Sequence, residues 1–340
     1  MSAEREPVLR EVADGVHAYL QHGSWGFSNA GLVAGEGDAL LVDTLYDLRL
    51  TGRMLAEMRR KIPVASRITT VVNTHANGDH CWGNQLVSGA NIVSSKAARE
   101  EMKELSPGLM ATLVGASRRI AALGALPRSA LGLLGRLGIA RAGALAEGAE
   151  FIVQCFGAFE FRGISLTPPT TTFSGRTSLA AGDRLVEVIE VGPAHTKGDA
   201  IVHLPKERVA FSGDILFVGS HPIIWEGPVE NWIAACDRLL ELDVDVIVPG
   251  HGPITDKEGV RRTKAYWERL VDASRRGHEA GASADEIARE LLREAWGGWG
   301  EAHRLVVNVD TICRALARDR SPRDPLVLMA RMAQVERAGR

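Results

Sequence analysis

Side chains that bind metals are concentrated in one short segment of the sequence. His75, Asp79 and His80 occur within six residues, in the segment 74–80 with the sequence THANGDH. Imidazole and carboxylate groups are suitable ligands for zinc or iron. The segment follows the apolar run 68–72, which predicts a strand, and a loop at the end of a strand holds its side chains on a fixed frame. A metal site is one interpretation; a polar loop that happens to contain two histidines is the other.

Three later segments also place a potential metal ligand in a loop after a strand-like run. His195 lies in GPAHTKGD after the run LVEVIEV, Asp214 lies in FSGD, and His251 lies in VPGHG. Each follows an apolar, strand-like run and has glycine close by, which allows the backbone to turn tightly and to approach a cation closely. Four such loops in one chain favour a metal centre over a chance polar loop.

The elements that must position these loops are predicted from apolar spacing. Residues 31–43 predict a β-hairpin that turns at GEGD, and its second strand, 40–42, ends at Asp43. Residues 48–60 have helical spacing. A segment from about 95 to 148 is rich in Ala, Leu, Gly and Arg, and it predicts a helical insert. The other predicted elements are strands at FIVQCF, LVEVIEV, AIVHL, VAFSGDILF and 244–248, a helix at 231–242, and helices after residue 255.

This order of elements predicts an α/β fold in which two sheets form a sandwich with helices outside and the site at the edge where strands end. We expect a catalytic domain over residues 1–255, with a helical cap at about 95–148, and a helical C-terminal extension over 256–340. The insert predicts either an apolar pocket over the site, an amphipathic surface that lies on a membrane, or packing between helices or subunits.

The ordered motifs resemble the metallo-β-lactamase superfamily, whose pattern is HxHxDH, a His in a turn, an Asp and a late GH. The resemblance covers about residues 8–255 and implies an αββα sandwich of two mixed sheets. It also implies that Asp43 orients the HANGDH loop. The metal ligands that it implies are His75 and His195 at a first position, Asp79, His80 and His251 at a second, and Asp214 between the two.

Asn77 departs from the family pattern, which has histidine at this place. An amide oxygen is a weaker zinc ligand than imidazole. Three interpretations follow: the first position binds metal loosely, with Asn77 distant or bridged by water; metal occupies only the second position; or His75, His195 and Asp214 hold iron. We favour a weakened dinuclear zinc site.

The function that the resemblance and the residues imply is metal-assisted hydrolysis. Zinc is the expected cofactor, one or two ions per chain, with iron or manganese as alternatives. Zinc lowers the pKa of bound water to about 7, so a metal-bound hydroxide would attack the carbonyl of a hydrophobic ester, thioester or lactone. Asp79 and Asp214 are the expected catalytic carboxylates.

Other functions stay open at this point. A polyketide cyclase or thioesterase would use the metal to polarise a carbonyl, and similar proteins have that chemistry. A mononuclear iron oxygenase is suggested by the ligands that remain without Asn77. A binding protein without catalysis has only Asn77 in its favour.

Four residues outside the ligand set are predicted to contact substrate. Trp25 and Phe27 lie in an early loop that flanks the active site in the family. Lys197 is a candidate for binding an anionic group, and His221 follows the Asp214 strand. His203, in the strand AIVHL, is predicted to be a packed histidine.

Composition excludes several classes of protein. The 40 basic and 42 acidic residues give a net charge of −2 and are interspersed, which argues against nucleic-acid binding. The charged N-terminal segment has no apolar signal core, and no apolar run is long enough to span a membrane. The 4 cysteines form no CxxC pair, so we expect reduced thiols in a cytoplasmic protein. The expected partners are a hydrophobic small molecule and a second copy of the chain in a homodimer.

Overall fold

Two mixed β-sheets form the centre of the fold. The computed structural model describes residues 6–122 and 140–338. One sheet has the order β1-β2-β3-β4-β5-β6-β7, and the other has the order β12-β11-β10-β9-β8. The strands of the first sheet are β1 Val8–Ala13, β2 Val16–Leu20, β3 Ala30–Ala34, β4 Ala39–Val42, β5 Ile68–Val72, β6 Asn91–Ser95 and β7 Thr171–Phe173. Those of the second are β8 Arg176–Ala181, β9 Arg184–Glu190, β10 Ala200–Leu204, β11 Val209–Phe211 and β12 Val246–Val248.

The first sheet changes from antiparallel to parallel pairing at β4, which pairs antiparallel with β3 and parallel with β5. In the second sheet only the β11–β12 pair is parallel. Because parallel strands share a carboxyl edge, the loops after β4 and β5 emerge on the same side. Asp43 and the HANGDH segment are in those loops.

Side-chain alternation explains why the two sheets pack face to face. Leu40 and Val42 of β4 lie in the apolar core between the sheets, together with Val202 of β10. Leu41 points the other way, into the core formed with the helices. Both faces of β4 are therefore buried, which accounts for its unbroken apolar sequence.

Helices cover the outer faces of the sandwich, and this confirms the predicted αββα architecture. The last helix, α10, packs on α5 of the insert and on α9. The helices are α1 Leu48–Lys61, α2 Gly78–Cys81, α3 Lys96–Glu101, α4 Pro107–Ala122, α5 Ala140–Phe156, α6 Val229–Glu241, α7 Lys257–Glu279, α8 Ala284–Leu291, α9 Leu305–Leu316 and α10 Pro325–Ala338.

Two local predictions are wrong. The run FIVQCF is the end of helix α5, in which Phe151, Ile152 and Cys155 are buried at helical spacing. A short apolar run does not by itself distinguish a buried helix from a buried strand. The predicted insert also overlaps the end of strand β6, and Ser95 of that strand caps α3 by accepting a hydrogen bond from the amide of Ala98. Residues 123–139 of the predicted insert lie outside the described residues.

All four cysteines lie in the described part of the chain, and none of them forms a disulfide. His203 is buried and its Nδ1 atom lies 3.1 Å from a carboxylate oxygen of Glu187, as expected for a packed histidine.

Within residues 6–122 and 140–338, no helix is both long and apolar enough to cross a membrane.

Candidate metal centre

Loops from both sheets meet around the carboxylate of Asp214, at the edge of the sandwich. Its Oδ2 atom lies 3.3 Å from Nε2 of His195, 3.3 Å from Nε2 of His251 and 3.8 Å from Nε2 of His75. Its Oδ1 atom lies 3.1 Å from Nε2 of His80. All five side chains are buried. The structure therefore brings together four imidazoles that the sequence separates by up to 176 positions, as counted from His75 to His251.

A second carboxylate, from Asp79, lies beside this cluster. Its Oδ2 atom is 3.4 Å from Nε2 of His251 and 3.8 Å from Nε2 of His80. The backbone carbonyl of Asp79 accepts a hydrogen bond of 2.5 Å from the hydroxyl of Ser28. We call His75, Asn77 and His195 the first half of the centre and Asp79, His80 and His251 the second half, with Asp214 between them.

The donor atoms fit a metal. Two sets of three side chains offer ligand atoms that lie within 4.8 Å of one another: one is His75, His80 and Asp214, and the other is Asp79, His80 and His251. Nε2 of His75, Nε2 of His80 and Oδ1 of Asp214 are buried and have no hydrogen-bond partner in the described residues. Buried polar atoms without a partner are rare, and a cation would satisfy these three.

The imidazole rings are oriented by oxygens on their far sides. Each Nδ1 atom lies against an oxygen that can accept its hydrogen, which leaves the Nε2 lone pair for a metal. The partners are Thr74 Oγ1 for His75 at 3.0 Å, Asp43 Oδ2 for His80 at 2.9 Å, Ile223 O for His195 at 2.7 Å and Phe27 O for His251 at 3.2 Å.

The carboxylate of Asp43 contacts the HANGDH loop at two residues, Thr74 and His80. Its carboxylate accepts hydrogen bonds of 2.7 Å from both the amide and the hydroxyl of Thr74, and it also lies against His80. Its backbone has a φ of 61°, a left-handed conformation that aspartate tolerates better than most residues. Burial raises the pKa of Asp43, and hydrogen bonds from His80 and Thr74 oppose that shift.

Asn77 occupies the place where the first half of the centre departs from the family pattern. Its Nδ2 atom lies 2.8 Å from Nε2 of His195. Because Nδ1 of His195 points at the carbonyl of Ile223, its Nε2 atom carries the lone pair and accepts the amide hydrogen of Asn77. A cation at this position would compete with Asn77 for that lone pair.

Glycine allows the loops to approach one another closely. A Cβ atom at Gly250 would lie 1.9 Å from Oδ1 of Asp214 and 2.8 Å from the backbone of Gly213, so a side chain there would displace the carboxylate or its loop. Gly213 has a φ of 51°, which turns the chain directly after β11 and places Asp214 at the centre.

Buried carboxylates raise the pKa of two of the imidazoles. Burial lowers the pKa of His80, but attraction to Asp214, Asp79 and Asp43 outweighs it and raises the pKa well above its ordinary value. Burial likewise opposes protonation of His251, yet Asp214 and Asp79 raise its pKa to about 9. Both residues with a raised pKa belong to the second half.

The two imidazoles of the first half shift in the opposite direction. Burial lowers the pKa of His75 well below its ordinary value, and the neighbouring His80 lowers it further. Burial also lowers the pKa of His195, although Asp214 partly offsets the effect. Burial raises the pKa of Asp214, but attraction to the surrounding imidazoles dominates and holds it well below the usual range.

A cavity of about 540 Å³ opens beside His251. Trp25, one of the four predicted substrate contacts, lines it. Phe27 packs on Phe159, with ring centroids 4.8 Å apart, and it contacts the centre through its carbonyl rather than through its ring. The structure therefore places Trp25 at a cavity and Phe27 against Phe159, which follows helix α5.

Lys197 and His221 do not line that cavity. The ammonium group of Lys197 lies 2.5 Å from Oε1 of Glu104, and the side chain is 40% exposed. His221 is buried among Tyr266, Trp296 and Trp299. Their proposed contact with substrate stays a prediction from the sequence.

Two charged residues of the C-terminal extension reach the cavity, and sequence reasoning missed both. Glu301 and Arg304 line it together with His251. They lie before an apolar helix, α9, in a segment that carries no motif. The available signal was two charged positions, three residues apart, just before an apolar helix, and that pattern is typical of an ordinary exposed helix end.

Comparison with known proteins agrees with this geometry. The family model described as metallo-beta-lactamase superfamily matches residues 23–251. A metallo-beta-lactamase from Pontibacter korlensis has a similar fold, with a TM-score of 0.53 at 18% identity, over 77% of this chain and 99% of that one. The structure of the metallo-beta-lactamase DIM-1 exposed to ceftazidime also has a TM-score of 0.53, over 79% of this chain and 99% of that one, at 18% identity. Both similarities concern the fold.

Curated relatives match over shorter stretches. The alpha subunit of a 2,4-dinitroanisole O-demethylase from Nocardioides sp. is 29% identical over 123 residues, which are 36% of this chain and 38% of that protein. The acyl-coenzyme A thioesterase MBLAC2 of Homo sapiens is 30% identical over 100 residues, which are 28% of this chain and 35% of that protein. The matches therefore span less than half the length of either relative. The family model covers most of the sandwich and all four ligand-bearing loops, and the chain belongs to the metallo-beta-lactamase superfamily.

Proposed function

We propose that the protein is a metal-dependent hydrolase that cleaves a hydrophobic ester, thioester or lactone. The observation that carries the proposal is the convergence of four imidazole Nε2 atoms on the Asp214 carboxylate. Three buried atoms of this cluster, on His75, His80 and Asp214, have no hydrogen-bond partner in the described chain. A zinc ion bound there would supply a water of lowered pKa and polarise a carbonyl. The thioesterase among the relatives supports an acyl substrate.

The two carboxylates have different parts in this proposal. Asp214 is 3% exposed and lies between the two halves, so it holds the ligand cluster together. The side chain of Asp79 is 12% exposed and lies against His251, which lines the cavity. Asp79 is therefore placed to accept and return a proton at its Oδ2 atom during hydrolysis.

Metal in the second half is the occupancy that the contacts favour. Asp79, His80 and His251 form one of the two compact donor sets, whereas Nε2 of His195 in the first half is engaged by Asn77. The same contact weakens the case for an iron oxygenase that would use His75, His195 and Asp214. We infer a principal zinc position at the second half and a weaker one at the first.

The test combines metal content with hydrolysis. Purified protein is analysed for zinc, iron and manganese, and is then assayed on activated esters, acyl thioesters and lactones before and after treatment with a chelator. We expect about one tightly held zinc per chain, hydrolysis of an acyl substrate, and loss of activity that zinc restores. Stoichiometric iron with oxygen uptake, or no hydrolysis of any acyl substrate by zinc-loaded protein, would contradict the proposal.

A matched histidine variant separates loss of the metal from general damage. His80→Ala removes a buried imidazole inside the cluster. His203→Gln changes a buried imidazole outside the cluster, on strand β10, where it pairs with Glu187. The first variant is expected to lose zinc and activity, and the second is expected to keep both. Equal loss in the two variants would assign the effect to folding.

A further inference from the structure

The cavity beside His251 has a buried cation in its wall. Arg304 is 2% exposed and lines this cavity, whose only other charged lining side chain among the described residues, histidines apart, is Glu301. The guanidinium carbon lies 4.9 Å from the centre of the Trp25 ring and 5.3 Å from that of Phe217. The Phe217 ring is stacked on His251 at 4.9 Å, so one aromatic ring connects the guanidinium to the proposed metal ligand.

The guanidinium of Arg304 has N–H groups that donate no hydrogen bond to the described residues. One Nη1 hydrogen bond of 2.8 Å goes to the carbonyl of His221. The Nε atom is buried and has no hydrogen-bond partner in the chain as described. The Nη2 atom is 3.8 Å from Oε2 of Glu301, which is beyond hydrogen-bond distance. A buried arginine that makes one hydrogen bond with five N–H donors is incompletely satisfied.

Glu301 is the main counter-charge of Arg304, with Oε2 and Nη2 3.8 Å apart, but no hydrogen bond in the described structure joins the two side chains, and the Glu301 carboxylate has other neighbours. Nε2 of His303 lies 3.2 Å from Oε2 of Glu301, and Ser24 donates a hydrogen bond to the same carboxylate. The positive charge of Arg304 also acts on its other neighbour: after burial, it is the largest cause that lowers the pKa of His221 to about 4.

The backbone around Arg304 is fixed to the sandwich. The amide of His221 donates to the carbonyl of Gly300, and the amide of Gly300 donates to the carbonyl of Gly219, so the extension is tied to the loop that follows Asp214. Beside the guanidinium, Trp25 has a φ of 54°, a strained conformation for an aromatic residue that its surroundings must hold in place. The cavity is thus built by groups held in defined positions.

We propose that Arg304 binds an anionic oxygen group of the substrate, such as a carboxylate, while the bond to be cleaved lies at the metal centre beside His251. This inference rests on the proposed hydrolase function and adds a substrate class: an acyl compound with an apolar body and a negatively charged end. Trp25 contacts the apolar part, and the fork of N–H donors on Arg304 recognises the two oxygens of the anion.

The test uses two activated esters that differ in one charge. The nitrophenyl half-ester of glutaric acid carries a free carboxylate, and nitrophenyl pentanoate is a neutral analogue of similar length. For zinc-loaded wild type we expect kcat/KM to be about tenfold higher for the charged ester, mainly through KM, as a charge-assisted hydrogen bond predicts. In Arg304→Gln the ratio is expected to fall to about one, and in Arg304→Lys to an intermediate value.

Two controls keep the outcome interpretable. Arg184→Gln changes another arginine of low exposure, which pairs with Asp14 and Glu207 at the other end of the second sheet, and it should retain the wild-type ratio. If Arg304→Gln does not fold, Glu301→Gln decides: removal of the neighbouring negative charge should increase the preference for the charged ester. An unchanged ratio in that variant would overturn the proposal.

Direct binding separates this inference from the proposed function. Glutarate is titrated into zinc-loaded wild type, Arg304→Gln and Arg184→Gln by calorimetry. Binding that only Arg304→Gln loses supports the anion site even if neither ester is hydrolysed, an outcome that would count against the hydrolase proposal alone. Hydrolysis of both esters with equal kcat/KM, together with no binding of glutarate, would overturn the anion site and leave the hydrolase proposal intact.

Discussion

The two halves of the metal centre use the same kinds of side chain but differ in how their donor atoms are occupied. In the second half, Nε2 of His80 has no hydrogen-bond partner in the described structure, and Nδ1 is held by a carboxylate. In the first half, Nε2 of His75 also has no partner in the described structure, but Nε2 of His195 accepts a hydrogen bond from Asn77, and Nδ1 of His195 is held by a neutral carbonyl. A carboxylate behind an imidazole makes it a stronger ligand than a carbonyl does. An asparagine in place of the family's histidine at position 77 can therefore make two adjacent metal positions unequal in affinity, while the loops that hold the other ligands keep their arrangement.

The largest expected effect comes from removing an imidazole from each half in turn. His251→Ala should weaken zinc binding by more than about 100-fold, because the second half keeps only one imidazole and one carboxylate besides Asp214. His75→Ala should weaken the tightest zinc site by about tenfold or less. Zinc affinity is measured by competition with a chromogenic chelator. Equal losses in the two variants would remove the distinction between the halves.

A smaller effect is expected from the residue behind His80. Asp43→Asn keeps the size of the side chain and tolerates the backbone φ of 61°, but it removes the negative charge that faces Nδ1 of His80. Loss of such a partner typically lowers metal affinity by about 10–100-fold. The same chelator competition measures it, and circular dichroism checks that Thr74 and its loop remain folded. Unchanged affinity would mean that Asp43 only supports the loop.

Asn77→His tests the weaker half directly. An imidazole at this position would replace the amide that competes for His195 and would add a ligand, so bound zinc should rise by about one ion per chain. Metal analysis after dialysis measures the stoichiometry. Asn77→Gln, which keeps the amide, is the matched control and should not gain metal. If the histidine variant binds no additional zinc, Asn77 is already an adequate ligand or another feature keeps the first half empty.

The motifs made most of the sandwich and the convergence of the ligand loops predictable. Each ligand follows a strand, and the carboxyl ends of paired strands meet at one edge, so His75, Asp214 and His251 had to lie near one another once the sheets were assigned. What the sequence did not predict depends on contacts between distant segments. Arg304 reaches the cavity because the extension folds back on the loop after Asp214. No local sequence pattern around Arg304 predicts that contact.

The same distinction explains the two local errors. Phe151 and Cys155 belong to a helix that begins within the predicted insert and continues past its predicted end, and their short apolar run by itself also fits a buried strand. Strand β6 is short and ends in two serines, Ser94 and Ser95, which resemble the start of a helix, and Ser95 does cap one. In both cases the boundary depends on tertiary packing that overrides local preference.

The smallest expected effect concerns Lys197, which the sequence assigns to substrate binding next to His195 in the first half. In the structure its ammonium group pairs with Glu104, and its backbone amide donates to Glu101. An exposed ion pair contributes little free energy, so Lys197→Met should change KM by less than about threefold and leave bound zinc unchanged. Steady-state kinetics on the charged and neutral esters measure this, with Lys103→Met, which alters a neighbouring exposed lysine paired with Glu100, as the control. A rise in KM well above threefold for the charged ester alone would mean that Lys197 leaves Glu104 to bind the anion, and the first half would then contribute to recognition of the substrate even where it binds metal weakly.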